Sequence, residues 1–292
     1  MKLSEKYSGI ICSLFTAPFL RVFVENSPER TLKKSLEIID NQATIALKNH
    51  VQNSQTASGG FRDRAGNADL YYTLFGYFLA EALGMPDNTA AVGPYLENEI
   101  RNNNMKGVHL HCAAILSVKT GKDKHTRLTL RNGVRKNLMD KKDQPSYYNS
   151  FLSLLSAYYL RDNIALLRIA RQLQLPGNIT TLPCSVLSAL IVLQHSFGKP
   201  VSELENALFS LYRKNGGFAA TQTAPVTDLL STAVALYALN ITGSDLRSIK
   251  PDCLNYVDSL YRKGGFAGHA IDQHPDIEYT FYGLLALGSL II

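Results

Sequence analysis

A Gly-Gly-Phe triplet, followed after a short polar loop by Asp and four residues later by Thr, occurs three times in this chain of 292 residues. The copies are Gly59-Gly60-Phe61 with Asp69 and Thr73, Gly216-Gly217-Phe218 with Asp228 and Thr232, and Gly264-Gly265-Phe266 with Asp276 and Thr280. In each copy the Thr opens an apolar run. Self-similarity at a spacing of tens of residues is typical of repeat architectures, so this pattern constrains the fold more than any single residue.

Weaker copies lie between the first copy and the last two. A small residue begins a mostly apolar run at six places, which are Thr73, Cys112, Ser150, Ser185, Thr232 and Thr280. Most of these runs have a second small residue three positions later, on the same helix face, which we expect to let neighbouring helices approach closely. The sequence therefore predicts six repeats, of which the middle three are degenerate.

Two kinds of predicted helix alternate along the chain. The runs that are apolar nearly all round, typical of buried helices, are 74–83, 113–118, 151–160, 186–193, 233–239 and 281–291. The segments with charge on one face and apolar residues at helical spacing, typical of surface helices, are 31–50, 89–103, 124–138, 162–173, 202–213 and 246–262. This alternation predicts an all-α fold, an (α/α)6 toroid in which buried helices form an inner ring and amphipathic helices an outer one. We expect one toroid domain over residues 31–292, with an N-terminal segment, residues 1–30, packed on the ring.

Charge and cysteine usage narrow the class of protein. The net charge of +6 favours phosphates or anionic surfaces, but the basic residues are scattered and form no stripe with aromatic residues, which argues against nucleic-acid binding. Four isolated cysteines indicate free thiols in a reducing compartment, so we expect a cytoplasmic protein. The apolar stretch 10–24 is too short and too interrupted to span a membrane. We expect it to pack across the ring or to make peripheral membrane contact.

Two segments resemble a known family. Residues 59–76, GGFRDRAGNADLYYTLFG, are similar to the repeat of protein prenyltransferase β subunits, and residues 275–287, PDIEYTFYGLLAL, resemble both that repeat and class II terpene cyclases. The resemblance extends over the first, fifth and sixth repeats. It implies an α/α toroid that handles an isoprenoid, but because one scaffold hosts different mechanisms, site residues have to be compared one at a time.

The zinc site of the protein prenyltransferases does not carry over. In that family an Asp, a Cys two residues later and a His just before the repeat Thr hold the metal. Asp228 matches the first position, but Leu230 stands in place of the Cys, and Tyr72 and Tyr279 stand in place of the His. A catalytic zinc ion needs three protein ligands, so we predict no resident zinc. The sequence leaves open whether a divalent ion binds together with a diphosphate.

Resemblance to the class II cyclases implies an acid at Glu278. Their Asp-x-Asp-Asp-Thr motif, whose middle carboxylic acid protonates an alkene or epoxide, matches the five residues 276–280, with Glu278 in the middle and Tyr279 in place of the neighbouring Asp. Asp276 is a second carboxyl that can help to keep Glu278 protonated. The catalytic candidates are Glu278, Asp276 and Asp228, although each aspartate also fits the N-cap of a helix.

Candidate ligand-binding residues gather where the inner helices are predicted to start. If these helices are parallel, their N-termini converge and favour an anion such as diphosphate, with arginines beside the Gly-Gly turns to assist. Aromatic rings there suit a prenyl chain or a carbocation, and they equally suit a packed core. The candidates are Asp69, Tyr72, Phe75, Tyr279, Tyr282, Arg62 and Arg64. His269, Asp272, His274 and Asp276 form a loop cluster that fits either a divalent ion or an ordinary surface loop.

Three functional hypotheses remain open from the sequence. The first is an isoprenoid-handling enzyme without zinc that carries out proton-initiated cyclisation or prenyl transfer. The second is a non-catalytic toroid that binds a partner protein or a lipid. The third is a β-subunit-like half of a heterodimer. A deep apolar cavity that ends in ionisable groups favours the enzyme, whereas a centre plugged by side chains favours the scaffold.

Overall fold

The computed structural model describes residues 22, 24–103, 105–139 and 147–291, with the backbone alone for 147–149. Over these residues the chain forms thirteen helices and two short β-hairpins. The first hairpin pairs Phe61–Arg62 with Ala68–Asp69, and the second pairs Tyr261–Arg262 with Gly265–Phe266. Helix α1, Pro28–Ser35, is followed by six pairs. The first members of the pairs are α2 Asn41–Ser54, α4 Pro86–Asn102, α6 Lys124–Asn137, α8 Asn163–Gln172, α10 Ser202–Phe209 and α12 Lys250–Asp258. The second members are α3 Leu70–Ala82, α5 Gly107–Lys119, α7 Tyr147–Tyr159, α9 Cys184–Ser196, α11 Leu229–Thr242 and α13 Ile277–Ser289.

The second members of the pairs form a closed inner ring, which confirms the predicted toroid. Each of them packs against the next one along the chain, and α13 packs against α3. In α11 all residues are buried except Leu230, Val234, Asn240 and Thr242. Leu230 and Val234 face the centre of the ring. The inner helices are therefore apolar all round because one side meets the outer ring and the other meets an apolar interior.

The constant spacing of the repeat follows from one hydrogen-bonded unit. The backbone N–H of Phe61 donates to Oγ1 of Thr73 (2.9 Å), and the Thr73 hydroxyl donates to the carbonyl of Asp69 (2.6 Å). The same two bonds occur in the other copies, with Phe218, Thr232 and Asp228 and with Phe266, Thr280 and Asp276. The Thr hydroxyl therefore joins the Gly-Gly-Phe loop to the first turn of the inner helix, which fixes its distance from the Asp.

The first glycine of each triplet docks its loop on the next outer helix. Gly59, Gly216 and Gly264 have φ of +93°, +89° and +89°, which favours glycine. A Cβ at these positions would lie 2.1 Å from the carbonyl oxygen of Ala91 in α4, 2.0 Å from that of Asp252 in α12 and 2.5 Å from that of Ala46 in α2. The last loop thus docks on the first outer helix and closes the outer ring.

The two glycines three positions after a repeat Thr, Gly76 and Gly283, make room for the Phe of their own triplet. For these two the expectation that the small residue lets a neighbouring helix approach is wrong. A Cβ at Gly76 would lie 2.3 Å from the Phe61 ring, and one at Gly283 would lie 2.5 Å from the Phe266 ring.

The predicted surface helix 31–50 is two helices. The chain leaves α1 after Ser35 and enters α2 at the N-cap Asp40, whose carboxylate accepts a hydrogen bond from the N–H of Ala43 (2.7 Å). Helix α1 packs against the inner helices α13 and α3, so closely that a Cβ at Gly288 would lie 1.9 Å from the carbonyl oxygen of Thr31. The domain boundary predicted at residue 30 falls inside α1, and most of the stretch 10–24 lies outside the described residues.

Three cysteines, Cys112, Cys184 and Cys253, are buried and free, in agreement with the prediction of free thiols. The fourth, Cys12, lies outside the described residues.

Candidate functional site

A cavity of about 300 Å³ lies at the centre of the inner ring. All six inner helices contribute to its wall, and Pro28 of α1 closes part of it. The wall is mostly aliphatic and aromatic, and two of the predicted ligand-binding residues, Phe75 and Tyr282, lie in it. Pockets for small molecules usually measure roughly 300–1,000 Å³ and are mainly apolar, so this cavity has the size and character of a ligand site.

Aromatic rings from α3 and α13 form one side of the cavity. The centroid of the Phe75 ring lies 4.8 Å from that of Phe281 and 5.6 Å from that of Tyr282. Tyr71 packs edge-on against Phe75, with centroids 4.7 Å apart. Such a wall can pack against an apolar chain, and the faces of its rings attract a positive charge.

Ionisable side chains meet at the end of the ring where α3, α5 and α13 begin. Nε of Arg64 donates to Oδ2 of Asp276 (2.6 Å), and another guanidinium N–H donates to Asp272 (2.7 Å). Nε2 of His109 lies 3.1 Å from Oδ2 of Asp69. These contacts join segments that precede or begin three inner helices, so the N-termini of these helices lie together, as predicted.

We predicted that these N-termini bind an anion such as diphosphate, but they are only partly available for this. The carboxylates of the aspartates already accept hydrogen bonds from some of their free N–H groups. The Asp69 carboxylate accepts from the N–H groups of Tyr71 and Tyr72 (2.8 and 3.1 Å). The Asp228 carboxylate accepts from the N–H and the hydroxyl of Ser231 (2.7 and 2.8 Å). The Asp276 carboxylate accepts from the N–H of Tyr279 (2.8 Å). At α3, α11 and α13 a carboxylate thus stands where we expected a diphosphate to bind.

The arginines beside the Gly-Gly turns are also engaged or exposed. Arg64 holds two carboxylates, and its guanidinium carbon lies 5.2 Å from the centroid of the Tyr279 ring. Arg62 is exposed at the edge of the first hairpin. Arg213 and Arg262 donate to the carbonyls of Ser210 and Ser259, where α10 and α12 end. Only Arg64, of these four, joins the ionisable cluster.

The predicted loop cluster contributes carboxylates to Arg64. Asp272 and Asp276 both bind Arg64, and the N–H of His274 donates to Oδ1 of Asp272 (3.0 Å). Burial alone would raise the pKa of Asp272, but the hydrogen bonds from Arg64 and from the backbone lower it below its usual range. Within the part of the chain that the structure describes, no three His, Cys, Asp or Glu residues are arranged to hold a metal ion.

Glu278 is linked to the cavity through Tyr71. The Tyr71 hydroxyl donates to Oε1 of Glu278 (2.7 Å), and Tyr71 lines the cavity whereas Glu278 does not. Burial raises the pKa of Glu278, and the negative charge of Asp276 raises it further, although hydrogen bonds from Tyr71 and Tyr72 and the charge of Arg64 oppose this. The net shift is upward, so a larger share of Glu278 is protonated than of an exposed glutamate.

The structure therefore separates the predicted residues into groups. Asp276, Glu278, Arg64, Tyr72 and Tyr279 lie in the ionisable cluster, where burial also raises the pKa of Tyr72 and Tyr279. Asp69 pairs with His109 beside it. Phe75 and Tyr282 line the cavity. Asp228 bonds with its own helix and Arg62 is exposed.

A second ionic group, partly buried, closes the opposite end of the ring. Nζ of Lys119 lies 2.9 Å from Glu29 and 2.7 Å from Glu81, and it also faces the rings of Tyr77 and Phe78. The Tyr159 hydroxyl donates to Glu29 (2.9 Å). Burial alone would raise the pKa of Glu29, but Lys119 lowers it below its ordinary value. This cluster, which we call the floor, connects α1 to the ends of α3, α5 and α7.

The sequence did not point to the floor or to His111 in the cavity wall. The partners in the floor lie far apart along the chain, so no local pattern joins them. His111 directly precedes Cys112, which opens a run predicted to be buried, and a polar ring at the start of that run was the signal available for it.

Comparison with known proteins agrees with this architecture. Residues 17–110 and 156–290, together more than half of the chain, match the family model of the prenyltransferase alpha-alpha toroid domain. The stretch between the two matches holds most of α5, all of α6 and part of α7, in the repeats predicted to be degenerate. Among curated proteins the chain finds no match. None of the helices in the described ranges has both the length and the apolar character that crossing a membrane requires. The chain belongs to the prenyltransferase alpha-alpha toroid domain family, which confirms the resemblance seen in its repeats.

Proposed function

We propose that the protein is an isoprenoid-handling enzyme that works without zinc and holds a prenyl or polyene chain in the central cavity. The observation that carries the proposal is the continuity between the apolar cavity and a protonatable carboxyl. Tyr71 lies in the cavity wall and its hydroxyl contacts Glu278, whose pKa is raised by burial. An apolar cavity with an acid at one end suits protonation of a carbon–carbon double bond.

The volume of the cavity sets the size of the chain. At about 300 Å³ the cavity lies at the lower end of the roughly 300–1,000 Å³ that is usual for small-molecule pockets. We therefore expect a short prenyl chain to fit better than a long polyene.

In the proposed reaction Glu278 supplies a proton through Tyr71. When Glu278 is protonated, its O–H donates to the Tyr71 oxygen and the Tyr71 O–H turns to the cavity. The Tyr71 hydroxyl then gives its proton to one carbon of a double bond as it takes a proton from Glu278, so that a C–H bond forms and the other carbon becomes a cation. The rings of Phe75, Phe281 and Tyr282 stabilise this cation through their faces. A second double bond of the same chain then attacks the cation, so that a C–C bond forms and the charge moves to the new ring. A neighbouring C–H bond breaks, its electron pair forms a double bond, and the proton returns through Tyr71 to the Glu278 carboxylate. Asp276 helps to keep Glu278 protonated, and Arg64 holds Asp276 in place.

The proposed location is cytoplasmic, which the free cysteines support. Peripheral membrane contact is part of the proposal because an isoprenoid chain partitions into membranes.

Identification of the bound ligand tests the proposal most directly. Mass spectrometry of the purified protein, followed by incubation with allylic diphosphates and alcohols of increasing length, should reveal a short prenyl ligand. Ala189 lines the cavity, and Ala189→Phe should exclude the ligand while leaving the helical circular dichroism unchanged. If the wild-type protein and Ala189→Phe retain the same compounds, or neither retains any, the cavity is not an isoprenoid site.

A non-catalytic binding toroid is the second candidate. Its support is that Asp69, Asp228 and Asp276 all serve as N-caps, which is a structural use of the carboxylates. The same experiment separates the two candidates. Ligand that is bound and recovered unchanged supports the binding protein, and conversion that depends on Glu278 supports the enzyme.

A further inference from the structure

His111 places a polar ring in the apolar wall of the cavity. It lies in the second turn of α5, is 3% exposed and is part of the cavity lining. Its Nδ1 lies 2.9 Å from Oγ of Ser156 in α7. The rest of α5 around His111 is mostly apolar. Because the side chain is almost completely buried, exposure to bulk solvent does not explain a polar ring at this position.

The hydrogen bonds around Ser156 fix which nitrogen of His111 carries the proton. The Ser156 hydroxyl donates its single proton to the carbonyl of Leu152 (2.9 Å). With that proton directed to Leu152, Oγ of Ser156 accepts from His111 and Nδ1 is the donor. Burial lowers the pKa of His111 to about 4, so the ring is neutral near pH 7. A neutral ring protonated on Nδ1 has an unprotonated Nε2, which is a hydrogen-bond acceptor.

Nε2 of His111 is accessible from the cavity. Among the described residues none donates to it, and it is not one of the fully buried polar atoms that lack a partner. It therefore keeps some accessible surface, which we assign to the cavity because His111 is one of the residues that line it.

Three other hydroxyls on the wall donate to protein acceptors. Those of Tyr159 and Tyr237 donate to Glu29 and to the carbonyl of Asn26, respectively. The hydroxyl of Ser188 donates to the carbonyl of Cys184. None of these hydroxyls donates to Nε2 of His111. This nitrogen is therefore left to accept a hydrogen bond from a donor on the ligand.

From this geometry we infer that the cavity ligand carries a hydroxyl group, which donates a hydrogen bond to Nε2 of His111. The inference rests on the proposed function, since it assumes that an isoprenoid occupies the cavity, and it narrows the ligand from a hydrocarbon chain to a prenyl or terpenoid alcohol. His111 is then a residue that selects and orients the ligand.

Farnesol and farnesyl methyl ether test the inference, because they differ in the one O–H donor. Calorimetric titration of the wild-type protein should give an affinity about three- to tenfold higher for farnesol. His111→Phe keeps a ring of similar size and should remove this preference while still binding the ether. Ser117→Ala is the matched control, since it removes a buried hydroxyl of the same helix that donates to the carbonyl of Ala114 and does not line the cavity, and it should keep the preference. Equal affinity of the wild-type protein for both probes overturns the inference and leaves the proposed function standing.

A measurement on the wild-type protein covers the case in which His111→Phe does not fold. In ¹⁵N spectra of the histidine rings, the unprotonated Nε2 of His111 should shift when farnesol is added and stay in place with the ether. An Nε2 resonance that farnesol leaves unchanged while binding occurs overturns the inference. If neither probe binds, the proposed function fails, and the inference fails with it.

Discussion

The hydroxyl of Tyr71 lies 2.7 Å from Oε1 of Glu278, although the two residues are 207 positions apart in sequence. Tyr71 belongs to the first inner helix and Glu278 to the last. Their contact exists only because the ring closes, so closure of the toroid and assembly of the candidate acid site are one structural event. A variant that opens the ring should therefore also separate the acid from the cavity.

Replacement of Glu278 should remove turnover without removing ligand. Glu278→Gln keeps an acceptor for Tyr71 but has no proton to supply, and general acid catalysis contributes about a hundredfold to ten-thousandfold in rate. We expect a loss of that order in product formation from a prenyl substrate, with ligand retention unchanged. Tyr71→Phe should also lower turnover, because it breaks the link between Glu278 and the cavity. The control is Asp123→Asn, which alters an N-cap carboxylate on the outer helix α6. Turnover by Glu278→Gln at the wild-type rate would remove the acid role.

The stability of the protein should reveal the raised pKa of Glu278 even without a substrate. A carboxyl whose pKa is higher in the folded state binds more protons there, so its contribution to stability is complete below its ordinary value of 4.5 and is lost as pH rises through the folded value. Glu278→Gln lacks this loss. Its melting temperature relative to the wild-type protein should therefore increase as pH rises above 4.5 and then level off. Melting curves of both proteins from pH 4 to pH 8 measure this, and a difference that is constant with pH contradicts the raised pKa.

Glu29 in the floor should show the opposite dependence on pH. Its pKa is lowered in the folded state, so its contribution is present above the ordinary value of 4.5 and is lost as pH falls through the folded value. Glu29→Gln should cost about 1–3 kcal/mol of unfolding free energy at pH 7, as expected for a charged hydrogen bond. The gap to the wild-type protein should narrow on acidification below pH 4.5.

A surface pair provides the comparison for Glu29. Glu97 pairs with Arg101, and its side chain is 53% exposed. Glu97→Gln should cost at most about 1 kcal/mol. Urea unfolding at several pH values measures both variants, and equal losses for Glu29 and Glu97 would mean that the floor does not hold α1 in place.

The parts of the fold that the sequence predicted are those encoded locally. The repeat Asp and Thr lie four residues apart and bond within one helical turn, so the spacing of Asp69 and Thr73 is enough to locate the start of an inner helix. Apolar periodicity likewise separated inner from outer helices. Both signals arise within a few residues of each other, which is why they survive in a single sequence.

The parts that the sequence did not predict depend on distant partners. The segment 31–50 has the residue pattern of a helix throughout. Only the packing of α1 on Gly288 explains why its first part lies against the inner helices and not in the outer ring. The floor joins Glu29 to Lys119, which are 90 positions apart. At the candidate site the sequence was compatible with two roles for the aspartates, as acids and as N-caps. The hydrogen bonds to their own helices show the capping role.

Gly264 should be essential for ring closure. Gly66 is the control for the backbone strain that Ala introduces at a positive φ. The two glycines have φ of +89° and +90°, so Ala is strained equally at both, by about 1–2 kcal/mol. At Gly66 an added Cβ meets nothing within 4 Å, whereas at Gly264 it lies 2.5 Å from the carbonyl oxygen of Ala46 in α2. Gly264→Ala should therefore lose about 1–3 kcal/mol more unfolding free energy than Gly66→Ala, the typical cost of overpacking.

Urea unfolding of the two variants measures this difference, and limited proteolysis shows where it acts. Because Gly264 belongs to the last repeat and Ala46 to the first outer helix, displacement of that loop should increase cleavage near α2 in Gly264→Ala and not in Gly66→Ala. Gly216→Ala, whose Cβ would lie 2.0 Å from the carbonyl oxygen of Asp252, should be as destabilising but should expose α12 instead. Equal stability of Gly264→Ala and Gly66→Ala would mean that the first and last repeats are not held together by this contact. The link between Tyr71 and Glu278 would then need another support.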